Sequence, residues 1–128
     1  MGRPSAKSTS KHRAHRFGVR AEWTAAAWLS IKGYRVLDRR FLAAGGEIDI
    51  VARLGDVVAF VEVKARGDLG VAAAAISETK RRRISHAVRV WLARNPWAMT
   101  ATLRGDAIFV APWRLPRHLA AAYMLDLD

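Results

Sequence analysis

Three residues in this chain have types and spacing that could do chemistry: Asp49 in Gly-Glu-Ile-Asp, and Glu62 and Lys64 in Glu-Val-Lys. Two carboxylates a few ångströms apart repel unless a cation lies between them or one takes a proton. Oxygen ligands of that kind suit Mg²⁺ or Mn²⁺, with water and a phosphate oxygen completing the shell. An ion held there would polarise a phosphodiester and acidify a water. Lys64, two residues beyond Glu62 on the same strand face, rises about 6.6 Å along it. From there it could orient the attacking water or neutralise charge developing on phosphorus. A salt-bridge cluster of Glu62, Lys64 and Asp49 at a sheet rim, without catalysis, is the plainer alternative.

The elements that must bring these residues together are legible from patterning. Two alternating runs, Glu47–Ala52 and Val57–Ala65, are joined by Arg53-Leu54-Gly55-Asp56, which has the residues of a β-hairpin turn. Pairing of that hairpin sets Asp49 close to opposite Glu62. Strict alternation puts Glu47, Asp49 and Val51 on one face and Ile48, Ile50 and Ala52 on the other. Upstream, Phe17–Ile31 is helix-compatible and carries one acid, Glu22, beside or on its apolar face; Gly33 is a plausible C-cap. Tyr34–Arg39 reads as a short strand, and Gly45-Gly46 punctuate the chain just before the hairpin.

Downstream, Ser77–Arg94 is the clearest helix, with Lys80, Ile84, Ala87, Val88, Trp91 and Leu92 on one stripe and Asn95-Pro96 stopping it. A last strand covers about Leu103–Val110, and Trp113 to Tyr123 is expected to hold a short closing helix or turn. The order α-β-β-β-α-β predicts an α/β sandwich, a small mixed sheet with helices on its faces.

The 128 residues carry 22 Lys+Arg against 11 Asp+Glu, a formal charge of +11, and no cysteine. Disulfides, Cys-ligated zinc, iron–sulfur clusters and a thiol nucleophile are thereby excluded. A 52% hydrophobic share supports a packed core. No apolar run approaches the ~18 residues of a membrane span, and no signal-peptide pattern opens the chain, so a cytoplasmic location is expected. The charge calls for a polyanionic partner, nucleic acid first. Arg3, Lys7, Lys11, Arg13 and Arg16 lie in residues 1–16 without an acid, which predicts a flexible basic arm ahead of one domain over 17–128.

The runs G-G-E-I-D-I-V-A (45–52) and F-V-E-V-K-A-R (60–66) resemble the D-x(n)-E-x-K signature of restriction-endonuclease-like nucleases. The match is closest to the small bacterial YraN-like proteins, which are similar to archaeal Holliday-junction resolvases. The resemblance runs from about Gly18 to about Val110, through Gly18–Glu22, Lys80 and Arg104–Asp106. It implies a restriction-endonuclease-like three-layer sandwich and Mg²⁺-dependent (or Mn²⁺-dependent) hydrolysis of DNA, with branched or structured DNA a candidate substrate. Asp49 and Glu62 would be metal ligands, Lys64 the catalytic lysine, and Glu22 an acid lent by the first helix. The chain departs from the pattern where Arg40 stands for an Asn and Gly105 for an aromatic residue.

Around that site, Lys80, Arg81, Arg82 and Arg66 are candidate phosphate contacts, which position DNA without reading sequence. For Lys80 the plain alternative is snorkelling to solvent; for Arg81–Arg83 it is a solvated helix face. Trp28 and Trp91 fall at core spacing. Trp97 and Trp113, near prolines, are read as satellite packing, with stacking on unpaired bases the alternative. His86 and His118 have no ligand-spaced partners. Two further functions remain open beside the nuclease: a non-catalytic nucleic-acid-binding module, and a structural partner of an RNA–protein particle. A homodimer would suit two-strand cleavage.

Overall fold

The computed structural model describes residues 6–65 and 76–128, with side chains from Val19 onward. Helix α1 (Ala6–Ile31) leads into β1 (Arg35–Ala43), β2 (Gly46–Leu54) and β3 (Val57–Lys64). Helix α2 (Glu78–Arg94) and a 3₁₀ turn (Pro96–Thr100) precede β4 (Thr102–Phe109) and β5 (Arg117–Tyr123). The strands lie in chain order across one five-stranded sheet. All neighbours are antiparallel except β3 and β4, which run parallel. Helix α2 makes the crossover that such a parallel pair requires.

The sheet separates two apolar layers, giving a three-layer α/β sandwich. On one face Ala21, Ala25, Ala26 and Leu29 of α1 pack on Ile50, Ala52, Ala59, Val61 and Ile108. On the other, Ile84, Ala87, Val88, Trp91 and Leu92 of α2 pack on Ile48, Val51, Val58 and Phe60. The Ala-rich face of α1 lets that helix lie close to the sheet. The α2 stripe is the one its periodicity predicts, and Ser77 caps the helix by accepting from the Lys80 N–H at 3.1 Å.

Three features depart from the sequence expectations. First, helical backbone begins at Ala6, inside the segment expected to be a basic arm over 1–16. No glycine or proline interrupts the chain from Ser5 to Phe17, and Ala, Lys and Arg favour helix. Residues 1–5, and the side chains through Gly18, lie outside the described residues. Second, Arg117–Tyr123 is a strand rather than a closing helix or turn; it pairs antiparallel with β4 at the edge of the sheet. Third, alternation breaks within β2: Ile48 and Val51 enter the α2-side core while Ile50 enters the α1-side core. The β2–β3 ladder ends at Ile50↔Val61, and the Val63 N–H then bonds the Asp49 carboxylate.

β4 and β5 are locked by a buried polar network built on Arg104 and Asp106, whose further members no sequence pattern announces. Asp106, fully buried, takes both Arg104 Nε and Nη2 at 2.7 Å, the His118 Nε2–H at 2.7 Å and the Ala121 N–H at 3.0 Å. Arg104 also donates to the Tyr34 hydroxyl at 2.7 Å, and Lys32 donates to His118 Nδ1 at 2.6 Å. His118 is therefore the neutral Nε2–H tautomer. Despite burial, the His118 and Arg104 hydrogen bonds hold the Asp106 carboxyl below its ordinary range. Next to it, the Tyr123 ring passes over Gly105 so that its hydroxyl donates to the Phe60 carbonyl at 2.7 Å. A Cβ on Gly105 would meet that ring at 2.7 Å. Tyr123 thus occupies the space beside the position where the family pattern has an aromatic, and burial pushes its phenol well above the usual range.

Removing Asp106 leaves Arg104 and His118 without their shared acceptor. Asp106→Ala is expected to lower unfolding stability by about 3–5 kcal/mol. Denaturant melts of the two proteins measure it; a loss under about 1 kcal/mol would mean that water replaces the carboxylate without penalty.

Candidate functional site

The carboxylates sit where β2 parts from β3. The strand register, continued one residue past Ile50↔Val61, sets Asp49 beside Glu62. Both are buried, at 9% and 4% exposure. Glu62 Oε1 receives Lys64 Nζ at 3.7 Å and pairs closely with Lys80 Nζ. Lys64 is largely buried, Lys80 partly exposed. Asp49 Oδ2 instead accepts the Val63 N–H at 2.8 Å. Lysines from a strand and from a helix thus converge on one oxygen of Glu62, and Asp49 lies against that pair.

Electrostatics follow from this placement. Burial, reinforced by the Glu62 charge, pushes the Asp49 carboxyl up to about 8; the Val63 N–H opposes the shift but does not cancel it. Burial alone would lower Lys80, yet its hydrogen bond and charge pairing with Glu62 hold it above the ordinary ammonium range. Glu22 is also raised, chiefly by burial and against the pull of Arg40, whose Nε lies 3.6 Å from Glu22 Oε2. Glu22 lies within electrostatic range of Glu47, Glu62 and Asp49, and its direct partner is Arg40. Arg40 has φ +52°, the left-handed region that Asn tolerates better than most residues. The backbone there takes a conformation uncommon for a long side chain, and the guanidinium supplies a cation to Glu22.

The cluster opens on a cleft of about 850 Å³, walled by Gly45, Gly46 and Glu47 on one side and by Ser77, Thr79, Lys80 and Arg83 of α2 on the other, with Glu62 between. Asp49 and Lys64 do not line it. Close approach of α2 to β2 makes the cleft: a Cβ on Gly46 would stand 2.1 Å from the Arg83 carbonyl oxygen, a backbone atom that cannot swing away.

Other expected contacts fall less centrally. Arg81 makes a two-pronged pair with Glu78, at 2.9 and 2.5 Å, and donates to the Met124 carbonyl at 3.1 Å. Arg82 is exposed and reaches Glu78 at 3.4 Å. Arg66 lies outside the described residues. Arg83 is exposed, as a solvated helix face requires, and also lines the cleft, which the closeness of Gly46 to α2 reveals. His118, read as isolated, belongs to the Asp106 network.

The donor set is compatible with a hard divalent cation: two neighbouring carboxylates, which is the number that Mg²⁺ commonly takes from protein while keeping water and phosphate oxygens. Among the described residues no three His, Asp or Glu side chains form a ready-made metal cage. No described helix is long and apolar enough to cross a membrane.

Fold and site together define a small α/β protein with a carboxylate–lysine cluster at the open end of a mixed sheet. Residues 21–110 match the uncharacterised protein family UPF0102. The chain is 55% identical over 125 residues to a UPF0102 protein of Methylorubrum extorquens (strain PA1), covering 97% of this chain and 98% of that one. It is 60% identical over 109 residues to one of Methylobacterium nodulans, covering 85% and 84%. It is 48% identical over 121 residues to one of Mesorhizobium japonicum, covering 94% of each. The chain belongs to the UPF0102, or YraN-like, family.

Two outcomes test this geometry. Because the Asp49 carboxyl is raised from 3.8 to about 8 on folding, the folded state holds its proton more tightly than the unfolded chain. That contribution is complete below about pH 4 and is lost as pH rises through about 8. The metal-free protein should therefore lose stability across that window. Asp49→Asn, which keeps an acceptor for Val63, should flatten the slope; equal slopes in thermal melts would refute crowding of the carboxylates. Separately, Gly46→Ala should cost about 1–3 kcal/mol by overpacking, read from urea midpoints, whereas an unchanged midpoint would show that α2 separates freely from β2.

Proposed function

We propose that this protein is a metal-dependent endonuclease that hydrolyses DNA phosphodiester bonds, with branched or otherwise structured DNA its candidate substrate. The observation that carries the reading is the convergence of Lys64 and Lys80 on Glu62 beside a crowded Asp49, at the mouth of a cleft edged by Arg83. Mg²⁺ or Mn²⁺, held by Asp49 and Glu62, would supply Lewis-acid polarisation of the phosphate and acidify the attacking water. Binding it would displace the proton that crowding retains on Asp49 and draw off the lysines' hold on Glu62. Lys80 and Arg83, beside the first turn of α2, would clamp the substrate phosphate. Lys64 would stay near the reacting phosphorus and offset the charge developing there. Glu22 would tune the cluster from α1.

The formal charge of +11 supports nucleic acid as the partner and, by itself, equally supports a non-catalytic binding module of the same fold. A DNA-cleaving role would require the cytoplasm, where bacterial DNA is found. A homodimer would align two sites for symmetric cleavage of a junction.

Cleavage of single-stranded, duplex, flapped and four-way DNA with Mg²⁺, Mn²⁺ or EDTA separates the two readings. Metal-dependent cleavage is expected, reduced at least about 100-fold in Asp49→Ala and in Lys64→Ala. Absence of cleavage, with wild type and both variants binding DNA equally and salt-sensitively, would leave the binding module.

A further inference from the structure

The β4–β5 loop carries a second feature that neither the carboxylate cluster nor the fold requires. Trp113 is 102% exposed and has φ +63°, the left-handed region that bulky side chains seldom occupy. The packing expected for it from sequence is therefore absent. Other exposed tryptophans are engaged. Trp23 has the Arg39 guanidinium 3.5 Å from its ring centroid, and Trp97 has that of Arg53 at 4.9 Å with Trp91 edge-on at 6.0 Å. Among the described residues, Trp113 has neither kind of contact. Its neighbours Pro112 and Pro116 restrict the loop backbone on either side of it.

The position of the loop gives that presentation a direction. β4 runs parallel to β3, with Phe109 beside Lys64, and the Val110 N–H donates to the Lys64 carbonyl at 2.8 Å. The loop thus leaves the sheet at the end where Glu62 and Lys64 stand. Three residues from Val110 reach at most about 11 Å, so Trp113 stays on the end of the sheet where β3 and β4 finish, within the span of a few nucleotides from the cluster. Arg114 and Arg117 come after it in sequence, so the ring is set in a basic surround. A like-charged second copy would be repelled there, whereas a polyanion would be attracted.

We propose that Trp113 is a base-stacking platform that engages an unpaired or unstacked nucleobase next to the phosphate bound at the Glu62–Lys80 cleft. This rests on the nucleic-acid reading above and deepens it: the preferred substrate is DNA whose bases are accessible near the reacting bond. Every base offers a π-face to an aromatic ring, so the contact selects DNA shape rather than sequence. Paired, stacked duplex bases offer no free face, and duplex DNA gains nothing from the ring.

The test uses the full chain in EDTA, so that binding is read without turnover. DNA duplexes with and without a short unpaired stretch, the stretch containing 2-aminopurine, are titrated with wild type, Trp113→Ala and Trp113→Phe. Wild type should prefer the unpaired DNA and quench the 2-aminopurine. Trp113→Ala should lose about five- to a hundredfold in affinity for that DNA, lose the quenching and keep its duplex affinity, while Trp113→Phe retains most of both. Since the side chain is fully exposed, unchanged thermal melts should accompany both variants. Equal binding and quenching by wild type and Trp113→Ala would overturn the stacking role and leave the DNA-binding reading intact. No DNA binding by wild type would overturn both. A Trp113→Ala variant with unaltered DNA affinity but a changed sedimenting mass would assign the ring to a protein contact instead.

Discussion

Burying Glu62 at 4% exposure beside Asp49 is the constraint around which the rest of this structure is arranged. An ionised carboxylate removed from water must be paired, and a second carboxylate alongside deepens the need. Lys64 meets part of it from the same strand. Lys80 must come from a different element, so α2 has to approach the strand hairpin closely. That approach is possible because Gly46 has no side chain to meet the Arg83 carbonyl. The Ser77 cap then fixes the first turn of α2, on which Lys80 lies. A glycine in a strand and a serine before a helix thus have the same purpose: to deliver an ammonium group to a buried acid.

The two faces of the sheet divide the work unequally. Toward α2, an apolar core ends in the cleft, and the polar cluster is left partly open to solvent through Lys80. Toward α1, the polar residues of the β4–β5 side are closed in: Asp106 has every contact it can use from Arg104, His118 and the Ala121 N–H. The contrast separates the two acidic centres by physics. Asp106 is saturated by donors and held below its ordinary range, as expected of a structural ion pair. Asp49 is under-compensated and raised, the condition in which a cation or a proton is taken up. Asp106 is the satisfied centre, and Asp49 the one left short of donors.

The departures from the family pattern have local compensations. Arg40 adopts the backbone conformation that Asn favours and turns its guanidinium toward Glu22. Gly105 gives up an aromatic side chain, and Tyr123 fills the vacated space from the neighbouring strand while bonding the Phe60 carbonyl across β4.

The amino-acid sequence by itself determined the hairpin, the α2 stripe with its Asn95-Pro96 stop, and the neighbourhood of Asp49, Glu62 and Lys64. Each depends on contacts between residues near in sequence, where a two-residue turn fixes register and helical periodicity fixes a face. The family was legible in the same local runs. Tertiary structure decided what distant segments do to one another. It turned Ile48 toward α2 where the β2–β3 ladder ends at Ile50, made Arg117–Tyr123 a strand by pairing it with β4, and drew Lys32, Tyr34 and His118 into one network with Asp106. It also left Trp113 fully exposed, without the packing its sequence surroundings suggested. Such outcomes depend on which surfaces remain uncovered once the layers have closed, and no local pattern encodes that.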